Sequence, residues 1–119
     1  MKDKLLIVDD QPGIRLLLTD IFTCEGYEII VARNGKEALE QIHRNSFDLI
    51  MLDYNLPIIN GRDVLRQMTE DKIIIPVILM SGLIERIKEE EITGSMVIQV
   101  VSKPFNIKEI CELVRRMIA

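Results

Sequence analysis

The sequence has few cysteines, no excess of basic residues and no long apolar run, and each shortage excludes a class of protein. Cys24 and Cys111 are too few and too far apart for a disulfide framework or a zinc site, and we interpret both as small packing residues of helices. The net charge of -4 does not by itself give a basic face for nucleic acid. No apolar run approaches the length of a membrane span, and the N-terminus has no signal-peptide core. We therefore expect a cytoplasmic protein that binds neither nucleic acid nor membrane.

What the chain does contain is short apolar runs that end in acids. The run from Leu49 to Leu52 carries no charge and is followed at once by Asp53. The run from Leu5 to Val8 is likewise followed by Asp9 and Asp10. Short, unbroken apolar runs are typical of strands that are buried on both faces. The acids should therefore lie at the carboxyl ends of two such strands.

Strands and helices alternate along the whole chain in the predicted secondary structure. Helical spacing begins at Pro12 and stops before Gly26, while Asn34 and Asn106, each followed three residues later by Glu, predict helix caps. The predicted strands are Lys4–Val8, Tyr27–Ala32, Phe47–Leu52, Pro76–Met80 and Val97–Val101, and the other helices run from Asn34 to Arg44, Arg62 to Thr69, Ile84 to Glu91 and onward from Asn106. Alternation of this kind predicts an α/β fold with a parallel sheet and five helices on both its faces. The length of 119 residues suits one domain that spans residues 1–119.

Polar residues stand at the carboxyl ends of four of the five predicted strands, where ligands bind in such sheets. They are Asp9 and Asp10, Asp53, Ser81 and Lys103. Three carboxylates about 4–5 Å apart repel by a few kcal/mol per pair at an effective dielectric of 20, so the cluster needs a cation. Oxygen ligands with few protein donors suit Mg²⁺. A carboxylate can attack phosphorus to form an aspartyl phosphate, although each of these residues alone would more often be a cap or a loop residue.

Four motifs in order carry a resemblance to a known family. Val8-Asp9-Asp10, Leu52-Asp53 with Pro57 and Gly61, Met80-Ser81-Gly82 and Ser102-Lys103-Pro104-Phe105 resemble the receiver domain of two-component response regulators. The resemblance implies a flavodoxin-like sheet of order 2-1-3-4-5. It also implies that Asp53 is the phospho-acceptor, that Ser81 and Lys103 contact the phosphoryl group, and that the bond before Pro104 is cis. The Mg²⁺ ligands implied are Asp9, Asp10, Asp53 and the backbone carbonyl of Asn55.

The segment from Gln11 to Leu18 is most similar to the single-domain regulators of sporulation phosphorelays. This similarity implies that the protein takes a phosphoryl group from a sensor histidine kinase and passes it to a histidine phosphotransferase, catalysing its own phosphorylation and dephosphorylation. The first helix has more apolar positions than one sheet-facing stripe requires, and we expect Ile14 to be its exposed docking residue. The predicted partner-binding residues are Gln11, Gly13, Ile14, Arg15, Pro104 and Phe105.

Other functions stay open at this point. Val100 stands where many receivers have an aromatic residue, which favours a relay carrier over a chemotaxis-type diffusible receiver that signals by phosphorylation-dependent target binding. A flavodoxin-like cofactor binder needs a phosphate-cradling first loop, whereas Asp9-Asp10-Gln11-Pro12 would repel a phosphate without a metal. A receiver-like binding module without phosphorylation is a further alternative. We expect a monomer.

Overall fold

The computed structural model describes residues 2–82 and 97–118. Five parallel strands form one sheet in the order β2-β1-β3-β4-β5, as predicted. The described residues carry four helices, and the predicted helix from Ile84 to Glu91 lies outside them. In chain order the elements are β1 (Lys4–Val8), α1 (Pro12–Cys24), β2 (Glu28–Ala32), α2 (Gly35–Arg44), β3 (Leu49–Asp53), α3 (Gly61–Glu70), β4 (Val77–Ser81), β5 (Val97–Ser102) and α4 (Ile107–Ile118).

The central strands are covered on both faces because their alternate side chains enter two separate cores. Leu6 and Ile50 belong to one core, which also contains the inner faces of α2 and α3. Leu5 and Leu49 belong to the other, which contains the inner faces of α1 and α4. Successive strand residues point to opposite faces, so a strand covered twice needs an unbroken apolar run. This requirement explains why β1 and β3 were recognisable from sequence.

Asparagine side chains cap three of the helices. The Asn34 side chain accepts a hydrogen bond from the Glu37 N–H (2.8 Å), and the Asn106 side chain accepts one from the Glu109 N–H (3.0 Å), which confirms both predicted caps. Asn60 caps α3 in the same way, with its side chain 2.9 Å from the Asp63 nitrogen. The cap at Asn60 was not predicted, and it starts α3 at Gly61, one residue earlier than expected.

Some local expectations are wrong. Cys111 is buried as expected, but Cys24 is exposed at the last turn of α1, so only one cysteine is a packing residue. β3 begins at Leu49 rather than Phe47, and it extends to Asp53. Among the described residues, no helix is both long enough and apolar enough to cross a bilayer.

Candidate functional site

The carboxyl ends of the strands bring the predicted polar residues to one edge of the sheet. Asp53 is the last residue of β3 and pairs with Met80 of β4. Asp9 follows β1, and its N–H donates to the carbonyl of Ala32, 3.2 Å away, at the end of β2. Lys103 follows β5, and its N–H donates to the carbonyl of Ser81 (2.8 Å). These backbone contacts fix the relative positions of the strand ends and of the side chains that follow them.

Three carboxylates converge at this edge. Asp9, Asp10 and Asp53 each offer a carboxylate oxygen, and these oxygens lie within 4.8 Å of one another. Asp9 is fully buried and Asp53 is 5% exposed, whereas Asp10 is exposed. The structure therefore confirms that these three acids lie close together, as the sequence predicted. An all-oxygen set with an open side suits Mg²⁺, which keeps several of its waters when protein ligands are few.

Lys103 connects the two buried acids. Its Nζ donates to Asp9 Oδ2 at 2.5 Å and to Asp53 Oδ2 at 3.1 Å, and its side chain is 17% exposed. Buried carboxylates require a paired charge of this kind, because removing them from water is costly. The Lys103–Pro104 peptide bond is cis, as predicted.

Main-chain N–H groups hold the second oxygen of each buried acid. Asp9 Oδ1 accepts from the Gln11 N–H (2.9 Å), and Asp53 Oδ1 accepts from the Asn55 N–H (3.2 Å). Both contacts span two residues, as in an Asx turn. Each carboxylate is therefore oriented by its own loop on one side and by Lys103 on the other.

The ionisation of the site reflects its burial and its crowding. Burial raises the pKa of Asp53, and the Asp9 carboxylate raises it further, by more than Lys103 and the Asn55 N–H offset. Burial alone would lower the pKa of Lys103, but the hydrogen bond to Asp9 and the charges of Asp53 and Asp9 outweigh it, so this pKa is raised. The site thus keeps a firmly protonated lysine beside a carboxyl group that ionises less readily than usual.

The loop between β3 and α3 is tightly packed behind Asp53. A Cβ atom on Gly61 would lie 2.6 Å from the carbonyl oxygen of Asp53, and one on Gly35 would lie 1.9 Å from the carbonyl oxygen of Ile59. Within the loop, the Ile59 N–H donates to the Pro57 carbonyl (2.8 Å) across Ile58, whose φ is +69°. This is a strained γ-turn for a β-branched residue. The sequence drew attention to Gly61 but not to Gly35, whose contact exists only in the folded chain.

The other predicted site residues are distributed around this edge. Ser81 is buried at the end of β4, and Asn55 is exposed in the loop after Asp53. Gln11, Gly13 and Pro104 are exposed, while Ile14, Arg15 and Phe105 are partly buried. The expectation that Ile14 is the exposed apolar residue of α1 is wrong, because Ile14 packs against the core shared by α1 and α4. Leu16, 64% exposed, and Leu17, 39% exposed, face solvent instead.

Comparison with known proteins identifies the family. The sequence profile of the response regulator receiver domain matches residues 5–115. The chain belongs to this family. It is 38% identical to sporulation initiation phosphotransferase F of Bacillus subtilis over 118 residues, which cover 98% of this chain and 94% of that protein. The receiver also matches transcriptional regulators of which it spans only about half the length.

Solved receiver structures share the same fold. The receiver domain of a Francisella response regulator superposes with a TM-score of 0.89 at 32% identity, covering 98% of this chain and 97% of that one. The Thermotoga maritima response regulator TrrA, in complex with Mg²⁺ and BeF, superposes with a TM-score of 0.86 at 34% identity, covering 98% and 99% of the two chains. The acidic cluster of Asp9, Asp10 and Asp53 therefore fits the Mg²⁺ site of receiver domains.

Proposed function

We propose that residues 1–119 form one cytoplasmic receiver that accepts a phosphoryl group on Asp53 from a sensor histidine kinase and relays it to a histidine phosphotransferase. The observation that carries this proposal is the convergence of Asp9, Asp10 and Asp53 within 4.8 Å, with Lys103 bonded to two of them. The net charge of -4 gives no support for a nucleic-acid partner.

The transfer step is a substitution at phosphorus. A carboxylate oxygen of Asp53 forms the new P–O bond, and the P–N bond to the kinase histidine breaks, leaving its electron pair on the imidazole nitrogen. The onward step reverses this exchange with a histidine of the phosphotransferase. Bound Mg²⁺ supplies positive charge for the phosphoryl oxygens, and Asp9, Asp10, Asp53 and the Asn55 carbonyl are the proposed ligands.

The remaining residues hold Asp53 in position and offset the negative charge of the phosphoryl group. The Lys103 ammonium, already 3.1 Å from Asp53, is placed to pair with a phosphoryl oxygen. The Ser81 hydroxyl, at the end of the neighbouring strand, would donate to another. The Asn55 N–H holds Asp53 Oδ1, which limits rotation of the nucleophile and favours one direction of attack.

Two observations favour a relay over a diffusible output signal. The Bacillus subtilis relative, named as a phosphotransferase of sporulation initiation, matches over 94% of its own length. Val100 is partly buried and packs against the core of α2 and α3, and it has no aromatic ring whose movement would report phosphorylation at the surface. A relay protein needs mainly to present its phosphoryl group.

Reaction with acetyl phosphate tests the acceptor directly. The protein is incubated with acetyl phosphate and Mg²⁺, and its intact mass is measured for wild type, Asp53→Asn and the control Asp20→Asn, which alters an exposed acid of α1. We expect wild type and the control to gain one phosphoryl group and Asp53→Asn to gain none. Labelling of Asp53→Asn to the wild-type level would refute the assignment.

A chase experiment tests the relay. Phosphorylated protein is freed of donor and mixed with candidate histidine phosphotransferases, and the label is followed on both proteins. Rapid, reversible transfer supports the relay. Tighter binding of a target on phosphorylation, without transfer to any phosphotransferase, would support the chemotaxis-type alternative instead.

A further inference from the structure

We propose that Arg15 is a positioning residue, whose guanidinium holds the loop between β1 and α1 so that Asp9 and Asp10 can bind Mg²⁺. This inference rests on the proposed function, because it assumes that these acids are metal ligands. It gives Arg15 a role inside the molecule, in addition to the predicted contact with a partner.

Arg15 holds the loop at two points. Its Nη1 donates to the main-chain carbonyl of Asp9 at 2.8 Å. Its own main-chain N–H donates to the carbonyl of Gln11 at 3.1 Å. The loop of residues 9–11 is therefore joined at both ends to the first turn of α1, and one of the two contacts depends on the side chain of Arg15.

The contact at Asp9 controls both acids because of where the carbonyl lies. This carbonyl belongs to the peptide unit that links Asp9 to Asp10, and fixing a planar peptide fixes the chain direction on both of its sides. The other polar groups of Asp9 are already engaged, since its N–H donates to Ala32 and its carboxylate accepts from Gln11 and Lys103. Arg15 supplies a charge-assisted hydrogen bond to the carbonyl that follows the end of the strand.

If Arg15 acts only through its charge, its removal should change Mg²⁺ affinity in the opposite direction. The direction of the change in affinity therefore decides between a charge effect and a positioning role. Arg15 is a cation whose guanidinium contacts the main chain at Asp9, and as a charge alone it would repel Mg²⁺. Its removal would then tighten metal binding. If Arg15 positions the loop, its removal weakens metal binding, as the loss of contacts that orient metal ligands generally does.

The test is a Mg²⁺ titration of the full chain at constant pH and ionic strength, with the dissociation constant obtained from amide NMR shifts. The variants are Arg15→Met, Arg15→Lys and the control Arg33→Met. Arg33 follows β2 at the same edge of the sheet, but its guanidinium pairs with Glu37 at 2.7 Å. Arg33→Met therefore removes a similar charge without releasing the loop of residues 9–11.

We expect Arg15→Met to bind Mg²⁺ roughly tenfold more weakly than wild type, and Arg33→Met to bind as wild type or slightly more tightly. Arg15→Lys should recover much of the affinity, because an ammonium group can donate to the same carbonyl. The amide spectrum also reports whether each variant is folded, and Arg15→Leu, which likewise has no donor, replaces Arg15→Met with the same expectation if the latter does not fold.

Two outcomes would overturn the inference, and they are distinguishable. If wild type binds Mg²⁺ and the neutral Arg15 variant binds it equally or more tightly, Arg15 is not a positioning residue, while the proposed function stands. If wild type itself binds no Mg²⁺, the proposed function fails, and the inference fails with it.

Discussion

Replacing Gly61 by alanine tests whether the site depends on a close approach of two main-chain segments. The added Cβ would lie 2.6 Å from the Asp53 carbonyl oxygen, 2.9 Å from the Tyr54 Cα and 3.1 Å from the Tyr54 carbonyl oxygen. Comfortable contacts between carbon atoms are about 3.5–4.0 Å. All three neighbours are main-chain atoms, so the strand end or the start of α3 has to move.

The expected cost follows from the size of this clash. Overpacking of a well-packed region costs about 1–3 kcal/mol, and the usual benefit of Gly→Ala through the unfolded chain offsets about 0.4–1 kcal/mol. We expect a net loss of about 1–2 kcal/mol. Since the displaced carbonyl belongs to Asp53, labelling by acetyl phosphate should slow as well.

Urea unfolding, followed by circular dichroism, measures the loss of folding stability. At a slope near 2 kcal/mol per molar urea, the midpoint of Gly61→Ala should fall by about 0.5–1 M. Gly13→Ala is the matched control, because a Cβ at this position of α1 has nothing within 4 Å, and it should stabilise by about 0.5–1 kcal/mol. A Gly61→Ala midpoint equal to or above that of wild type would show that the clash is relieved without cost, and the reasoning would be refuted.

Three further predictions follow from charge and strain. Asp53→Asn should raise the urea midpoint at neutral pH in the presence of EDTA, because burial and then the Asp9 charge raise the pKa of Asp53 and disfavour its ionised form; an unchanged or lower midpoint contradicts this. Ile58→Asn should stabilise by about 1 kcal/mol, since asparagine tolerates a positive φ, while Ile58→Val, which keeps the β-branch, should not. The pKa of His43 should lie above its usual value of 6.5 in an NMR titration, because its ring nitrogens bond to the Leu39 carbonyl, which has the larger effect, and to Asp71. The contribution of protonated His43 to folding stability is complete below pH 6.5 and is lost as pH rises through the raised pKa. A measured pKa of 6.5 or lower would mean that this contribution is absent.

The strands and their end residues were predictable because the relevant signal is local. An apolar run long enough to be covered on both faces is visible in the sequence, and parallel strands must bring their carboxyl ends to one edge. Asp9, Asp53 and Lys103 could thus be placed together although they are far apart in the chain. The strand boundaries shifted by one or two residues, because the last paired residue depends on neighbouring strands.

The sequence revealed the helix caps at Asn34 and Asn106, but it did not reveal the contacts that side chains make with main-chain carbonyl groups. The partner of Arg15 is a carbonyl oxygen, and every residue has one, so no pattern of side chains marks this contact. The exposed position of α1 was also misassigned, because the helix has apolar residues at 14, 16, 17, 18, 21 and 22, and spacing alone does not decide which of them face the sheet. That Ile14 faces the core and Leu16 faces solvent is seen only once α1 is packed against β1 and α4.

The charges at the sheet edge imply an order for the proposed reaction. The three carboxylates and the one ammonium of Lys103 leave two net negative charges when all are ionised. A phosphoryl donor brings more negative charge and would be repelled by such a site. A divalent cation cancels the excess, so Mg²⁺ should bind before the donor approaches. Lys103 offsets only one of the two charges of the buried acids, so the remaining negative charge lies both on this buried pair and on exposed Asp10. The order of binding therefore follows from the excess of carboxylates over the one lysine that is bonded to them.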